Sequence, residues 1–216
     1  MISLPNGALV AIAASYGTSK VMSAVSNANP AQATLATGHG IVANDVMVVT
    51  SGWSKLTDRV VVAGTPAGDV IPLTGVNSTS TSLYPAGGGS GFVMEVLTWT
   101  QLAQILGSAS SGGEQQFLEY QLLESDTQQR IPTTKSASGL SFTVADDPAL
   151  PGYQLASAAN DDRLPRAVRI TLPSGATIFY NAYISLNKTP TLTVNEIMAV
   201  EVTLSLLSDP MRYAAP

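Results

Sequence analysis

The only histidine of the chain, His39, stands in Gly38-His39-Gly40, so any Ser-His-Asp arrangement would have to be built on it. General acid–base work needs partners converging on the imidazole. The flanking glycines read as a loop, and no Gly-x-Ser-x-Gly nucleophile elbow occurs anywhere. Two acidic pairs, Asp146-Asp147 and Asp161-Asp162, are the nearest thing to ligands for calcium or magnesium. Neither follows the spaced oxygen-ligand pattern of an ion-binding loop, and adjacent side chains rarely converge on one ion. Helix capping accounts for the first pair, and a solvated turn before Arg163 for the second. Gly17-Thr18-Ser19-Lys20 and the run Gly87 to Gly91 resemble pieces of a phosphate-binding loop, without its Gly-x4-Gly-Lys-Ser/Thr order. Both read as turns. Asn77-Ser78-Thr79 fits a glycosylation acceptor, a match short enough to arise by chance. The expectation is no catalytic residue, no metal ligand and no cofactor.

Composition narrows the classes further. The chain has 216 residues, no cysteine, 45% apolar residues and only 12% charged ones, well below the roughly one quarter of an ordinary soluble domain. Without cysteine there is no disulfide scaffold and no thiol chemistry. The ten Lys and Arg residues are scattered and the net charge is −5, which argues against tight nucleic-acid binding. No apolar run reaches the length of a membrane span. The run Ala8 to Ala14 lacks the basic start of a signal peptide and reads as a strand, so synthesis and assembly in the cytoplasm of the producing cell are expected. Low charge with much Ala, Ser, Thr and Gly suits a protein that hides its surface against partners, or a plain β domain with short side chains.

The elements that would position any site are mostly strands. Val168, Ile170 and Leu172 alternate with Ala167, Arg169 and Thr171; Ile178, Tyr180, Ala182 and Ile184 follow after a Pro173-Ser174-Gly175 turn. Met198, Val200, Val202, Leu204 and Leu206 then alternate with Ala199, Glu201, Thr203 and Ser205. Period two means one buried and one wetted face. Further strands are expected at 46–50, 59–63, 71–73, 91–97, 115–124 and around Leu140, Phe142 and Val144. Residues 25–33 read as turn-like, 108–113 as a loop and 125–138 as a long polar loop. A short helix is expected over Thr100 to Leu106 with Thr100 as its N-cap, covering one sheet. A second helix is expected to start at Asp146-Asp147-Pro148 and end near Asn160, its early part weakened by Pro151-Gly152. The glycine run at 87–91 reads as flexible and as the best place for a boundary. Trp53 and Trp99 suit either a core or an interface.

The segment LPRAVRITLPSGATIFYNAYISLNKTPTLTVNEIMAVEVTLSLLSDPMRY, residues 164–213, resembles the closing strands of tail tube proteins from long-tailed, lambda-like bacteriophages. Upstream, Phe117 to Asp126 followed by Gln128-Gln129-Arg130-Ile131-Pro132 resembles that family's strand and extended loop. The likeness covers residues 91–213 well and the first 90 loosely. It implies a mainly β fold, a two-sheet β-sandwich or barrel with one or two short flanking helices and a long polar loop. The expected organisation is a single domain over 1–216, with 38–90 a β-rich elaboration or small inserted module. The resemblance further implies that copies form six-membered rings, that the rings stack into a virion tail tube, and that DNA passes through without specific binding. Tape measure, tail terminator and tail-tip proteins are the implied partners.

A basic bore would hold DNA by counterion release. Glu119, Gln121, Ser141, Thr143, Glu201, Thr203 and Ser205 alternate with apolar residues and carry no positive charge, so they are the expected bore lining, Glu119 and Glu201 adding negative potential. An ordinary solvated sheet face is the other reading of each. Ring-to-ring contact is expected from the 125–138 loop through Ser125, Asp126, Gln128, Gln129, Arg130, Ile131, Pro132 and Lys135. The first strand and the Pro216 tail are further candidates to reach across subunits. The competing classes are a monomeric β-sandwich binding module, disfavoured by aromatic content of only 6%, and a tube subunit of a contractile injection system.

Overall fold

The computed structural model describes residues 6–215, so the Pro216 tail lies outside the described residues. Fifteen strands and one helix follow one another: β1 (Leu9–Tyr16), β2 (Lys20–Val25), β3 (Ala31–Leu35), β4 (Val46–Ser51), β5 (Arg59–Val62), β6 (Val70–Leu73), β7 (Gly91–Leu102), β8 (Ile105–Ser111), β9 (Gln115–Tyr120), β10 (Gln129–Lys135), β11 (Gly139–Ala145), α1 (Pro151–Asp162), β12 (Arg166–Thr171), β13 (Thr177–Leu186), β14 (Ala199–Leu206) and β15 (Met211–Tyr213). The protein is mainly β, as the alternation implied. One long bent sheet runs β6-β3-β2-β7-β1-β12-β13-β14-β11-β8, and β9 and β10 pair only with each other.

The long strand β7 belongs to two layers. Its first half pairs with β2 on one side and β4 on the other, its second half with β1. From β4 the pairing passes to β5, through the Ala63–Leu73 bridge to β6, then to β3 and back to β2. These six strands therefore close on themselves as a small barrel. Its interior holds Met22, Met47, Val49, Leu56, Ile71 and Leu73 around Trp53. The Trp53 indole N–H donates to the Pro85 carbonyl (2.8 Å), and its ring meets Tyr84 edge-on, so Trp53 is a core residue. The glycine run expected to be flexible is folded over that indole, where a Cβ on Gly89 would meet Val25 at 2.9 Å and the Trp53 ring at 3.0 Å.

A second core lies on the other side of the sheet, where α1 packs across β13, β7 and β1. Ile12, Phe142, Ala156, Ala159, Val168 and Val202 are among the side chains it buries. Pro151 occupies the first turn of α1, where its missing N–H costs nothing. A Cβ on Gly152 would come within 2.3 Å of the Gln101 carbonyl, so glycine here sets the close approach of α1 to β7. The dipeptide that weakened the helix reading is what seats the helix. Asp147 lies before it, its carboxylate accepting from the Ala149 N–H.

The last strands tie the two cores together. Met211 enters the barrel interior, and the Tyr213 hydroxyl accepts from the Val62 N–H (3.1 Å) and donates to the Thr74 carbonyl (2.9 Å). Ser208 donates to the Asp58 carbonyl, and Arg59 pairs with Asp209 at 3.5 Å.

Four expectations are corrected. Residues 100–106 are not helical: β7 runs through Leu102, Gln104 turns the chain with φ at +59°, and β8 begins at Ile105. The i, i+3, i+4 spacing of Leu102, Ile105 and Leu106 imitates a helix, but the pairing of β7 with β1 claims Thr98 to Leu102. The turn-like stretch 25–33 contains the end of β2 and the start of β3, whose Ala31 and Ala33 are fully buried in the barrel. The loop expected at 108–113 is strand through Ser111. The loop expected at 125–138 holds β10, which pairs with β9.

Candidate functional site

The face of the sheet opposite α1 is covered only in part. Over β1, β12 and the start of β13 the β4–β5 hairpin lies on it, burying Ala13, Val48, Val60, Ala167 and Phe179. Trp99 is half-buried at this contact, beneath the Arg169 guanidinium at 4.8 Å. The rest of the face, across β8, β11, β14 and the end of β13, is open.

Register makes that open face a grid. Ser141 lies opposite Thr203 on one side and Ala109 on the other, and Thr203 lies opposite Ser185. In the row on one side of it Thr143 pairs with Glu201 and Gly107; in the row on the other side Gly139 pairs with Ser205 and Ser111, and Ser205 with Tyr183. The intervening residues Phe142, Val144, Val202 and Leu204 point into the core. Five of the seven residues expected to act together, Ser141, Thr143, Glu201, Thr203 and Ser205, are thus brought onto one surface. It carries hydroxyls, small side chains, one carboxylate, and no Lys or Arg. Ser185 and Tyr183 complete it; the alternation of β13 could have flagged both. Ala109 and Gly107 carry no such signal, since the local pattern of β8 fits a helix end followed by a loop.

Glu119 and Gln121 lie elsewhere. Strands β8 and β9 run out, and β10 and β11 return, as one long hairpin spanning residues 105–145. At its middle Gly112 has φ at +71°, and a Cβ there would sit 1.9 Å from the Ala137 carbonyl, so only glycine fits. Beyond that point β9 and β10 form an arm. Glu119 is on the arm, in an ion pair with Arg130 across the ladder, and Gln121 donates to the Ser125 carbonyl in the turn (2.9 Å). The residues alternating with Glu119 are not core as expected: Leu118 is 58% accessible, Leu122 is exposed and Tyr120 is only half-buried.

The expected contact loop is this arm. Ser125, Asp126 and Gln128 are in its turn, with the Ser125 hydroxyl bonding to Thr127; Gln129, Arg130, Ile131, Pro132 and Lys135 are in β10. Every residue of β10 is exposed. Phe117 and Pro132 share one side, Leu118 and Ile131 the other, and both sides are bare. An isolated two-stranded hairpin is marginally stable in water.

The residues weighed for chemistry have structural employment. The His39 ring accepts from the Ile41 N–H through Nδ1 (3.0 Å), leaving its other nitrogen to donate to the Gly68 carbonyl. Asp161 and Asp162 form the last turn of α1 instead of a free turn; Asp161 binds Lys188 at 3.0 Å and Asp162 binds Arg166. Hydrogen bonds from Lys188 and Asn160 hold the Asp161 carboxyl below the ordinary range, and the Leu164 N–H with Arg166 does the same for Asp162. Burial pushes the Tyr213 hydroxyl up. Among the described residues no three His, Asp or Glu side chains gather as a metal site, and no helix is long and apolar enough to cross a membrane.

The described residues thus present an open polar grid and an arm exposed along the whole of β10. The chain belongs to the phage tail tube protein family: the model described as "Phage tail tube protein, TTP" matches residues 51–215. It is a structural protein of the virion tail. No curated protein matches the sequence. Among solved structures, the chain is similar to a protein in the tail of an empty gene transfer agent particle refined with C6 symmetry, at 12% identity, covering 54% of this chain and 87% of that one, TM-score 0.43. A component of the sheath–tube complex of an extracellular contractile injection system matches at 17% identity over 50% and 80% of the two chains, TM-score 0.37.

Proposed function

We propose that this tail tube subunit assembles into six-membered rings that stack, with the grid on β8, β11, β14 and β13 turned inward as the wall of the bore. The observation that carries this reading is the grid itself. It is the part of the sheet left uncovered, and it presents hydroxyls and Glu201 where a cation would bind passing phosphate. DNA then slides along the wall without specific binding. Ser141, Thr143, Glu201, Thr203 and Ser205 line the bore, while Glu119 and Gln121 serve on the arm.

The arm at 115–135 supplies contact between rings, since head-to-tail stacking needs different, complementary surfaces on each copy. The barrel, which uses much of the 38–90 stretch, is an elaboration of the tube domain on the side away from the bore. Tape measure, terminator and tail-tip proteins would meet the ends of the tube, and the subunit would be made in the host cytoplasm. Non-enzymatic work follows from the same reading.

Negative-stain microscopy at rising protein concentration tests it. Rings or hollow tubes are the expected result. A monomer at every concentration, still monomeric when a tail-tip complex is added as initiator, would sink the proposal.

A further inference from the structure

Arg169 is a half-buried cation without a counterpart. Arg59, Arg130, Arg166 and Lys188 stand in ion pairs, and Arg169 in none among the described residues. Its Nε is buried and makes no hydrogen bond, and burial disfavours its charged form. A desolvated charge is costly unless something pairs with it. What holds it is Trp99. Arg169 lies opposite Ala11, and Trp99 opposite Ala13, so two short side chains on β1 let the guanidinium cross that strand to the face of the indole. Trp and Arg are among the residue types enriched where protein interfaces concentrate their binding energy.

The sheet has two lateral margins. At one, β8 pairs with β11 alone; at the other, the second half of β7, with Trp99 in it, pairs with β1 alone. Copies related by rotation about an axis bring unlike margins together, and such contacts close into a ring. Beside β8 the carboxylate at hand is Glu114. It is exposed and in no ion pair among the described residues, and its N–H and carbonyl both bond to Ser136, which fixes its place. Register sets its level. Tyr183, Ser205, Gly139 and Ser111 form one row. Glu114 stands three residues past Ser111, and Phe179, the partner of Arg169, four residues past Tyr183 in the same direction. The two charges thus differ in level by one residue, about 3.3 Å along the strands. Of the other exposed carboxylates without an ion pair, Glu124 and Asp126 are out at the tip of the arm, and Glu196 and Glu201 lie toward the opposite end of the strands.

We infer that the Arg169 guanidinium, held on Trp99, takes the Glu114 carboxylate of the next copy around the same ring. This rests on the tube reading and names a residue pair for a contact that reading leaves unassigned.

A double-mutant cycle tests it, with Arg169→Met, Glu114→Gln and the two combined, each assembled beside the wild-type protein. Each single change is expected to raise the protein concentration needed for assembly by about tenfold or more, and the combination no further than the worse single one. Unfolding of the unassembled subunit gives a second readout. There Arg169→Met should leave stability unchanged or raise it, because an unpaired half-buried charge is removed. Losses that add in the double variant, or single variants that assemble like the wild type, would overturn the pairing and leave the tube reading intact. So would a fall in subunit stability with normal assembly, the mark of a guanidinium that merely braces Trp99. A wild-type protein that forms neither ring nor tube would overturn the tube reading itself.

Discussion

The barrel and the long hairpin of residues 105–145 are both built from antiparallel strands and end in opposite states. The barrel closes through the Ala63–Leu73 bridge, buries Trp53 and Met22 and leaves no edge of its six strands waiting. The hairpin ends the sheet at β8, all of whose residues from Leu106 to Ser111 are exposed, and then runs into an arm bare on both sides. Closure removes the hazard of an unpaired edge, whereas an open edge with apolar flanks invites another chain. One region is finished by its own chain, and the other, on the proposed tube reading, by copies of it. Mutations should therefore separate stability from assembly along the same line.

The largest expected effect is in the barrel. Trp53→Ala should lower monomer stability by about 3–5 kcal/mol, read from denaturant unfolding, because it empties a buried volume and orphans the Pro85 carbonyl. Tyr213→Phe comes next, at about 1–3 kcal/mol, since the Val62 N–H and Thr74 carbonyl lose their shared partner at the seam between the cores. Phe117→Asp on the arm should move monomer stability by no more than about 0.5 kcal/mol, yet prevent tube formation in the microscope. If it unfolded the monomer, the contrast between the regions would collapse.

The smallest effect concerns the base of the 187–198 loop. The Asp161 carboxyl is held below its ordinary value by Lys188, so the folded state binds its proton later than the unfolded one. Its contribution is present above the ordinary carboxylate range and is lost as pH falls through the depressed folded value. In an NMR titration Lys188→Met should move the Asp161 midpoint upward toward the ordinary value, with no change at neutral pH. An unmoved midpoint would mean that the ion pair is not formed in solution.

Where burial is set by strict alternation, the sequence was readable. Val168, Ile170, Val200, Val202 and Leu204 point inward as their period demands, and Ser141, Thr143, Glu201, Thr203 and Ser205 share the outer face for the same reason. What escaped was decided by distant pairing. Gln129 to Lys135 contains a proline and little apolar content, and only its ladder with β9 makes it a strand. Glu119 alternates with apolar residues as the grid residues do, yet lies on the exposed arm, because alternation marks a face without saying whether anything covers the opposite one. The barrel depends on the meeting of β5 with β6 through a single bridge, which no local pattern announces. Ala31 and Ala33 are too small to signal a strand, though the barrel buries both. The helix expected at 100–106 failed because a short apolar run fits both periods.

The central claim is that the hydroxyl grid faces the inside of a tube, and labelling of Thr203→Cys tests it most directly. In the monomer, this thiol should react with both a small maleimide and one carried on a bulky protein. In assembled tubes the small reagent should still enter and react, while the bulky one should be excluded. Equal reaction of the bulky reagent with monomer and tube would put the grid on the outer surface and contradict the account.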